Sequence, residues 1–428
     1  MDRTNQKPAT RNPWAWVPSL YLAEGIPYTM AMMVSVVLYK RLGLSNTEIA
    51  LYTSWLYLPW VIKPLWSPIV DLLRRKRFWI LFMELLISLS FALIALTLPT
   101  SRFLQYTLAF FWLMAFSSAT HDIAADGFYL LGLSQDLQAA FVGVRTIFYR
   151  IATLVTKGGL ILLAGFLENK GYPVSKAWSI PLFIGAIFFA ALLLYHFFIL
   201  PYPPMDRSSK RNPNQSFLFE SLQTFSLFFQ KKNIASILGF FLFFRFAETQ
   251  IVKILPPFLL DAPSKGGLGL STTQVGITYG TVGAISLMVG GLLGGYAIYR
   301  KGLKFWIWIM ACAMHLPDLV YVYLSQTLTT NFYLITFCVA LEQFGYGFGF
   351  TAYTMFMIMV SEGPYQTVHY AISTGIMALG MMLPAMASGW LQEQLGYPHY
   401  FLWVILATIP GFIVTGVVKI DPEFGKKR

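Results

Sequence analysis

The sequence predicts an all-α integral membrane protein with twelve transmembrane helices in two six-helix halves and both termini in the cytoplasm. Of its 428 residues, 56% are hydrophobic and only 12% are charged, whereas soluble proteins carry about 25% charged residues. Apolar runs of roughly 20 residues, the length that spans a bilayer as a helix, recur along the whole chain. Such a chain cannot cover its apolar surface in water, which excludes soluble enzymes, nucleic-acid-binding modules and disordered scaffolds.

The apolar runs are continuous, so they favour helices over the alternating strands of a membrane β-barrel. Several are longer than needed to cross a bilayer, which indicates tilted helices. The twelve predicted spans lie near residues 14–38, 47–70, 78–98, 103–132, 141–166, 177–200, 233–260, 272–298, 305–325, 331–360, 366–391 and 398–418.

The distribution of Lys and Arg predicts the orientation. The formal net charge is +12, and with both ends inside, nineteen of the 31 Lys and Arg residues fall in cytoplasmic segments and six in outer loops. Short cytoplasmic loops collect these residues. The positive charge therefore indicates contact with membrane lipids and not with nucleic acid. We expect a multi-pass protein of the cell's inner (cytoplasmic) membrane.

The chain divides into an N-terminal half (1–200), a cytoplasmic linker (201–232) that includes a possible amphipathic helix over 217–229, and a C-terminal half (233–428). Residues 42–49 (LGLSNTEI) and 268–275 (LGLSTTQV) form an internal repeat. Each copy precedes a span that ends in a basic turn followed by Phe-Trp. Duplicated six-span halves are typical of secondary transporters, whose binding site lies at the interface between the halves.

Several motifs carry a resemblance to a known family. They are residues 25–27 (GIP), 63–68 (KPLWSP) with Asp71, 122–127 (DIAADG), 149–150 (YR) with 158–159 (GG), Glu342 with 347–352 (GFGFTA), and 366–371. With the repeat and the basic turns, the chain resembles the major facilitator superfamily. Within it, the chain is similar to the anhydromuropeptide permease (AmpG-type) family and, more distantly, to the acetyl-CoA transporter family.

This resemblance implies the major facilitator fold and a monomeric carrier that works by alternating access, without a cofactor or a metal. It implies proton-coupled symport of anhydromuropeptides (GlcNAc-anhydroMurNAc-peptides, an amino-sugar peptide class) for peptidoglycan recycling. A carrier of another substrate, such as an acetyl-CoA-like molecule, an oligosaccharide, a nucleotide conjugate or a drug, is the alternative. The sequence shows no Ser/His/Asp grouping, His-rich cluster or nucleotide-binding loop, so we do not expect an enzyme.

Three acids are candidates for proton coupling. Asp122 and Asp126 are four residues apart in span four and therefore share a helix face. Two desolvated neighbouring carboxylates should not both be ionised at neutral pH, which suits a proton carrier. The alternative is an ion pair with Arg145 or Arg150; we expect Asp126 to carry the proton and Asp122 to form the pair. Glu24 is the third candidate, because the Gly–Pro step after it frees backbone groups that are tolerated only near a cavity or another helix.

The charged residues of spans five and seven are candidates for substrate binding. Arg150 and Lys157 are seven residues apart, so one helix face presents both to a substrate carboxylate or, alternatively, to the acids of span four. Arg245 and Glu248 are three residues apart and are predicted to form a structural ion pair within the helix. Lys253 is then left to contact the substrate.

Three further residues complete the predicted binding set. Lys63 either contacts the substrate or extends its ammonium to the membrane surface. Trp60 either stacks on a sugar ring or packs against lipid. Glu342 lies in the repeat equivalent of the acidic region of span four. A charged residue costs at least about 2.5 kcal/mol at the bilayer centre, so such residues face a cavity or a partner.

A separate group of charges lies at the basic turn after span two. Asp71 precedes Arg74 and Arg75 there. Positive-inside topology alone explains the arginines. The family resemblance instead implies structural ion pairs that lock one state of the transport cycle and break during switching.

Overall fold

The computed structural model describes residues 11–204, 206, 225–363 and 366–426, and all the regular structure in these ranges is helical. The α-helices, numbered here in chain order, are α1 (Val17–Thr29), α2 (Ser35–Arg41), α3 (Asn46–Trp55), α4 (Leu58–Leu73), α5 (Lys76–Thr97), α6 (Phe103–Gly132), α7 (Gln135–Leu154), α8 (Ile161–Asn169), α9 (Val174–Ile199), α10 (Ile234–Phe243), α11 (Phe246–Leu260), α12 (Thr272–Val275), α13 (Gly283–Lys301), α14 (Leu303–His315), α15 (Leu319–Thr327), α16 (Phe332–Ser361), α17 (Gln366–Ala407) and α18 (Ile409–Val417).

Within the described ranges, eight helical segments are long and apolar enough to cross a membrane, so the all-α membrane class is confirmed. The last of them contains two predicted spans, and Gly396 interrupts the helix between them with a φ of 71°. The three remaining predicted runs lie on α3 with α4, on α6 and on α16. The eight segments are Pro13–Arg41, Lys76–Thr97, Gly143–Asn169, Val174–Ile199, Ile234–Leu260, Thr272–Lys301, Leu303–Thr327 and Val368–Val417.

Three of the long helical segments widen into short π-helices, at Met30–Val34, Val155–Leu160 and Gly276–Val282. Insertions of this kind are rare and are frequently found at functional sites. The helix break predicted at Gly25 and Pro27 does not occur, because α1 continues through both residues and widens only after Thr29. Gly25 is needed for packing instead: a Cβ there would lie 2.7 Å from the Cβ of Ala152.

The two copies of the repeat begin helices in the same way. The Ser45 hydroxyl accepts from the backbone N–H of Glu48, whose carboxylate accepts from the Ser45 N–H at 3.0 Å. The side chains of Ser271 and Gln274 form the same reciprocal pair. Such a capping box satisfies two N–H groups that a helix start leaves without partners. The repeat therefore encodes the start of the second and eighth predicted spans.

The chain folds into two compact units that do not follow the predicted division at residues 200 and 233. Unit 1 comprises Met1–Ala31, Leu65–Thr156 and Lys170–Pro213, and unit 2 comprises Met32–Pro64, Lys157–Asn169 and Asn214–Arg428. The two halves proposed from the sequence stay a prediction. Residues 207–224, which contain most of the predicted linker helix, lie outside the described ranges.

Glycines allow close helix packing inside unit 2, where residues 290–295 (GGLLGG) and 345–349 (GYGFG) form two glycine-rich runs. A Cβ on Gly290 of α13 would overlap the carbonyl oxygen of Phe344 in α16. In return, a Cβ on Gly347 would overlap the carbonyl oxygen of Leu287. The two helices thus touch through their backbones.

Candidate functional site

Unit 1 brings together the three acids that the sequence proposes for proton coupling. Carboxylate oxygens of Glu24 on α1 and of Asp122 and Asp126 on α6 lie within 4.8 Å of one another. Arg145 of α7 donates from Nη2 to Asp126 at 2.8 Å, and the Tyr21 hydroxyl donates to the same carboxylate at 2.9 Å. One guanidinium thus faces three carboxylates.

The structure gives the ion-pair partner of Asp126, while the proton-carrying role stays a prediction. Asp126, which we expected to carry the proton and not the ion pair, is bound to Arg145. Asp122 and Glu24 also act on Arg145 electrostatically, so the arginine is shared by the whole cluster. Packing decides this, because α7 lies against α1 and its Arg145 is next to the rings of Tyr21 and Tyr129. The Asp126 side chain is 40% exposed, so it can exchange a proton with water.

Lys253 of α11 is a buried cation held by neutral groups of unit 2. Its Nζ donates to the hydroxyl of Thr53 at 2.9 Å and to the carbonyl oxygen of Met32 at 3.3 Å. It also lies 5.2 Å from the ring centroid of Tyr57. The side chain is only 1% exposed, and no carboxylate in the described ranges forms an ion pair with it. The contact of Lys253 with a substrate stays a prediction.

Lys157 and Glu342 are two further buried ionisable residues of unit 2. The Lys157 Nζ lies 3.1 Å from the ring centroid of Tyr279. Glu342 accepts from the Tyr321 hydroxyl at 2.5 Å and from Nε2 of Gln343 at 3.0 Å. Lys157 and Glu342 also attract each other electrostatically. Both residues were predicted from the sequence as substrate ligands, but their interaction with each other was not predicted.

The common face expected for Arg150 and Lys157 assumes a regular helix throughout, so it stays a prediction. The regular helix α7 ends at Leu154, and Lys157 lies in the π-helical segment that follows. Arg150 belongs to unit 1 and Lys157 to unit 2.

Arg245 and Glu248 also differ from the predicted helical pair. Arg245 precedes α11, with φ −109° and ψ 16°, so the two residues do not share a regular helix. The Arg245 guanidinium donates to the Tyr346 hydroxyl and, at 3.3 Å, to the sulfur of Met381. Neither oxygen of Glu248 accepts a hydrogen bond from any described residue.

The remaining predicted residues lie on α4 and on the turn after it. Trp60 and Lys63 are partly buried on α4. The Asp71 side chain lies outside the part of the chain that the structure describes, so the predicted lock stays a prediction. Arg74 lies over the Phe78 ring at 5.6 Å, and Arg75 is exposed.

Unit 1 contains one buried polar cluster that the sequence interpretation missed. In this cluster the Oε1 of Glu84 lies 2.5 Å from Nδ1 of His196 and 3.4 Å from Nε2 of His121. The Nε2 of His196 lies 2.8 Å from the Ser19 hydroxyl oxygen. The only sequence signal is that both histidines interrupt apolar runs, which does not reveal their common partner.

Comparison with known proteins identifies the family. The family model described as Major Facilitator Superfamily matches residues 19–368, which is most of the chain. The protein belongs to the Major Facilitator Superfamily. It is therefore a multi-pass membrane transporter.

Individual members of the superfamily are similar to this transporter over most of its length. The "Anhydromuropeptide permease" of Escherichia coli (strain K12) is 24% identical over 372 residues, covering 85% of this chain and 71% of the relative. The "Putative transporter AmpG 4" of Rickettsia felis is 22% identical over 406 residues, covering 92% of this chain and 94% of the relative. The crystal structure of a D-xylose-proton symporter superposes with a TM-score of 0.74 at 10% identity and covers 97% of this chain and 99% of that one, which shows the shared fold.

Proposed function

We propose that this transporter imports anhydromuropeptides together with protons for peptidoglycan recycling in the inner membrane. We further propose twelve spans, cytoplasmic termini and a monomeric state. The substrate proposal is supported by the similarity to relatives named as AmpG transporters and as an anhydromuropeptide permease. The observation that carries proton coupling is the cluster of Glu24, Asp122 and Asp126 around Arg145.

In this proposal the acid cluster loads a proton because three carboxylates lie close together in it. Neighbouring carboxylates in a poorly solvated site raise each other's proton affinity. Asp126 is the exchange group, since its side chain reaches water while its oxygen faces Arg145. When Asp126 binds a proton it releases Arg145, which can then turn to Asp122 or Glu24. A change of ion-pair partner of this kind links proton binding to movement of α1, α6 and α7.

The substrate is bound by cations and by an aromatic ring in this proposal. Arg150, Lys157, Lys63 and Lys253 supply positive charge for the lactyl and peptide carboxylates. Trp60 offers a ring face to a sugar, and Glu342 offers an acceptor for amide and hydroxyl donors. Asp71 with Arg74 and Arg75 serves as the lock that opens during switching.

Uptake of labelled GlcNAc-anhydroMurNAc-peptide into proteoliposomes tests the proposal directly. We expect accumulation when the outside is acidic and only equilibration after a protonophore is added. Unlabelled anhydromuropeptide should compete with the label, whereas acetyl-CoA and simple oligosaccharides should not. Absence of uptake by folded protein would exclude this substrate but not the family.

Asp126→Asn tests the coupling residue. The amide keeps the shape of the side chain but cannot take up and release a proton. We therefore expect gradient-driven accumulation to fall at least tenfold, while exchange of labelled for unlabelled substrate continues. Glu423→Gln, at a carboxylate that is 73% exposed, is the control. Full accumulation by Asp126→Asn would contradict the assignment.

A further inference from the structure

A second group of acids in unit 2 lacks hydrogen-bond donors. Glu248 on α11, His315 at the end of α14 and Asp318 in the 3-10 segment Leu316–Asp318 place ligand atoms within 4.8 Å of one another. Their side chains are almost completely buried, with residue exposures of 0%, 2% and 1%. The cluster is separate from the acids of unit 1 to which the proposed function assigns coupling.

The hydrogen-bond geometry places the Nδ1 atom of His315, an acceptor in the neutral ring, next to the carboxylate oxygens, which are also acceptors. The Nε2 of His315 lies 3.1 Å from the carbonyl oxygen of Phe244, so that nitrogen carries a hydrogen and donates it. In a neutral imidazole the other nitrogen is then a lone-pair acceptor. This Nδ1 lies 4.0 Å from Oδ2 of Asp318. Pro317, between the two, has no backbone N–H to contribute.

The carboxylate oxygens are also without donors. Both oxygens of Glu248, both of Asp318 and Nδ1 of His315 have no hydrogen-bond partner among the described residues. A buried carboxylate without a donor is strongly unfavourable, and two in contact repel each other as well. The carboxylate oxygens of Glu248 and Asp318 therefore require a positive charge between them. A proton shared by the two groups is the smallest cation that can supply it.

The surrounding charged and titratable groups do not supply this cation as a hydrogen-bond donor. Arg245 attracts Glu248 electrostatically, but its guanidinium donates to Tyr346 and Met381. Lys157 packs on Tyr279, and the Tyr321 hydroxyl donates to Glu342. The groups that interact electrostatically with the cluster are thus Arg245, Glu342, Tyr279, Tyr321 and Tyr346.

We propose that Glu248 and Asp318 share one proton at neutral pH and form a second proton-binding site, with His315 as its third member. The proton lies between the two carboxyl groups, one of which donates to the other. Release of the proton would leave two buried negative charges, which become tolerable only if water enters or if Arg245 turns from Tyr346 to Glu248. Proton occupancy is thereby linked to the conformation of the helix break before α11.

The pH dependence of thermal stability tests this site without any substrate. For the wild type we expect the melting temperature of the purified protein to fall from neutral to alkaline pH, because the folded state holds a proton that the same carboxyl groups have already released in the unfolded chain. In Glu248→Gln the amide donates to Asp318 permanently, so at least half of this fall should disappear. Glu423→Gln should behave as the wild type. If Glu248 were instead held by Arg245, Glu248→Gln would destabilise the protein at every pH, and the proposal would be overturned.

Infrared spectroscopy provides a second measurement that does not depend on folding stability. The carbonyl-stretch band of a protonated carboxylic acid should be present at neutral pH and should lose intensity equally in Glu248→Gln and in Asp318→Asn. An unchanged band in both variants would overturn the proposal. The band should also stay unchanged when sodium replaces choline as the cation of the buffer salt at constant ionic strength. Its loss in sodium would show that the site binds sodium in place of a proton.

Discussion

At the scale of single residues, Lys253 is a buried amine that forms no ion pair with any carboxylate the structure describes. Its ammonium is surrounded by a hydroxyl, a carbonyl oxygen and a tyrosine ring. Neutral acceptors compensate only part of the desolvation of a charge, which costs several kcal/mol in a protein interior. A charge buried in this way lowers the stability of the folded protein, so its role is better explained by the binding of a substrate. This is the physical reason for placing Lys253 in the substrate site.

Lys253→Met should therefore separate stability from transport. Methionine fills a similar volume without a charge, so we expect an equal or higher melting temperature and an uptake at least about tenfold lower. The exposed Lys265 provides the matched control, since Lys265→Met should change neither quantity. A marked loss of stability with normal uptake would assign Lys253 a structural role instead.

At the scale of elements, the contact between α13 and α16 depends on the absence of side chains. Gly290 and Gly347 each occupy a position where a Cβ would overlap a carbonyl oxygen of the other helix. Gly295, five residues further along α13, has nothing within 4 Å of its Cβ position. The same helix thus carries one glycine that packing requires and one that it does not.

A pair of alanine substitutions on α13 tests this distinction. Both gain helix propensity of about 1 kcal/mol relative to glycine. Gly290→Ala also forces two backbones apart, and overpacking of this kind costs about 1–3 kcal/mol. We expect a lower melting temperature for Gly290→Ala and an unchanged or higher one for Gly295→Ala. Equal melting temperatures in the two variants would show that α13 and α16 do not pack this closely.

At the scale of the whole molecule, polar contacts within unit 2 join helix ends that are distant in sequence. Lys40 forms an ion pair with Asp261 at 2.7 Å, and Tyr397 donates to the same carboxylate at 2.6 Å. Asn46 donates to the Tyr397 hydroxyl at 3.0 Å. The side chains of Lys40 and Asp261 are only 12% and 10% exposed. Loss of one partner from a buried pair costs about 3–5 kcal/mol, enough to change the population of a transport state.

Asp261→Asn should weaken these contacts. Opening of the structure is measured with a cysteine introduced by Ser54→Cys, a change of similar size at a fully buried side chain of α3. The other cysteines, Cys312 and Cys338, are replaced beforehand. We expect a membrane-impermeant maleimide to label the introduced cysteine several-fold faster when Asp261→Asn is present. Lys426→Gln, which removes an exposed ion pair, should have no effect. An unchanged labelling rate would show that the contacts of Asp261 do not limit opening.

Helix starts, close-packing glycines and family membership were predictable from the sequence because their signals are local. The capping boxes at Ser45 and Ser271 depend on residues three positions apart. The pairing of charges was less predictable even within one segment. The spacing rules applied to Arg245 with Glu248 and to Arg150 with Lys157 assume a regular helix, and an irregular turn interrupts each pair.

The sequence by itself determined that this is a helical membrane transporter, because apolar length, loop charge and family motifs act along the chain without reference to its packing. Only the tertiary structure decided which charges meet. Glu84 and His196 are 112 residues apart, and Asn46 and Tyr397 are 351 apart. In an interior of low polarity each buried charge must find a donor, an acceptor or a proton wherever packing provides one. That choice depends on which helices touch.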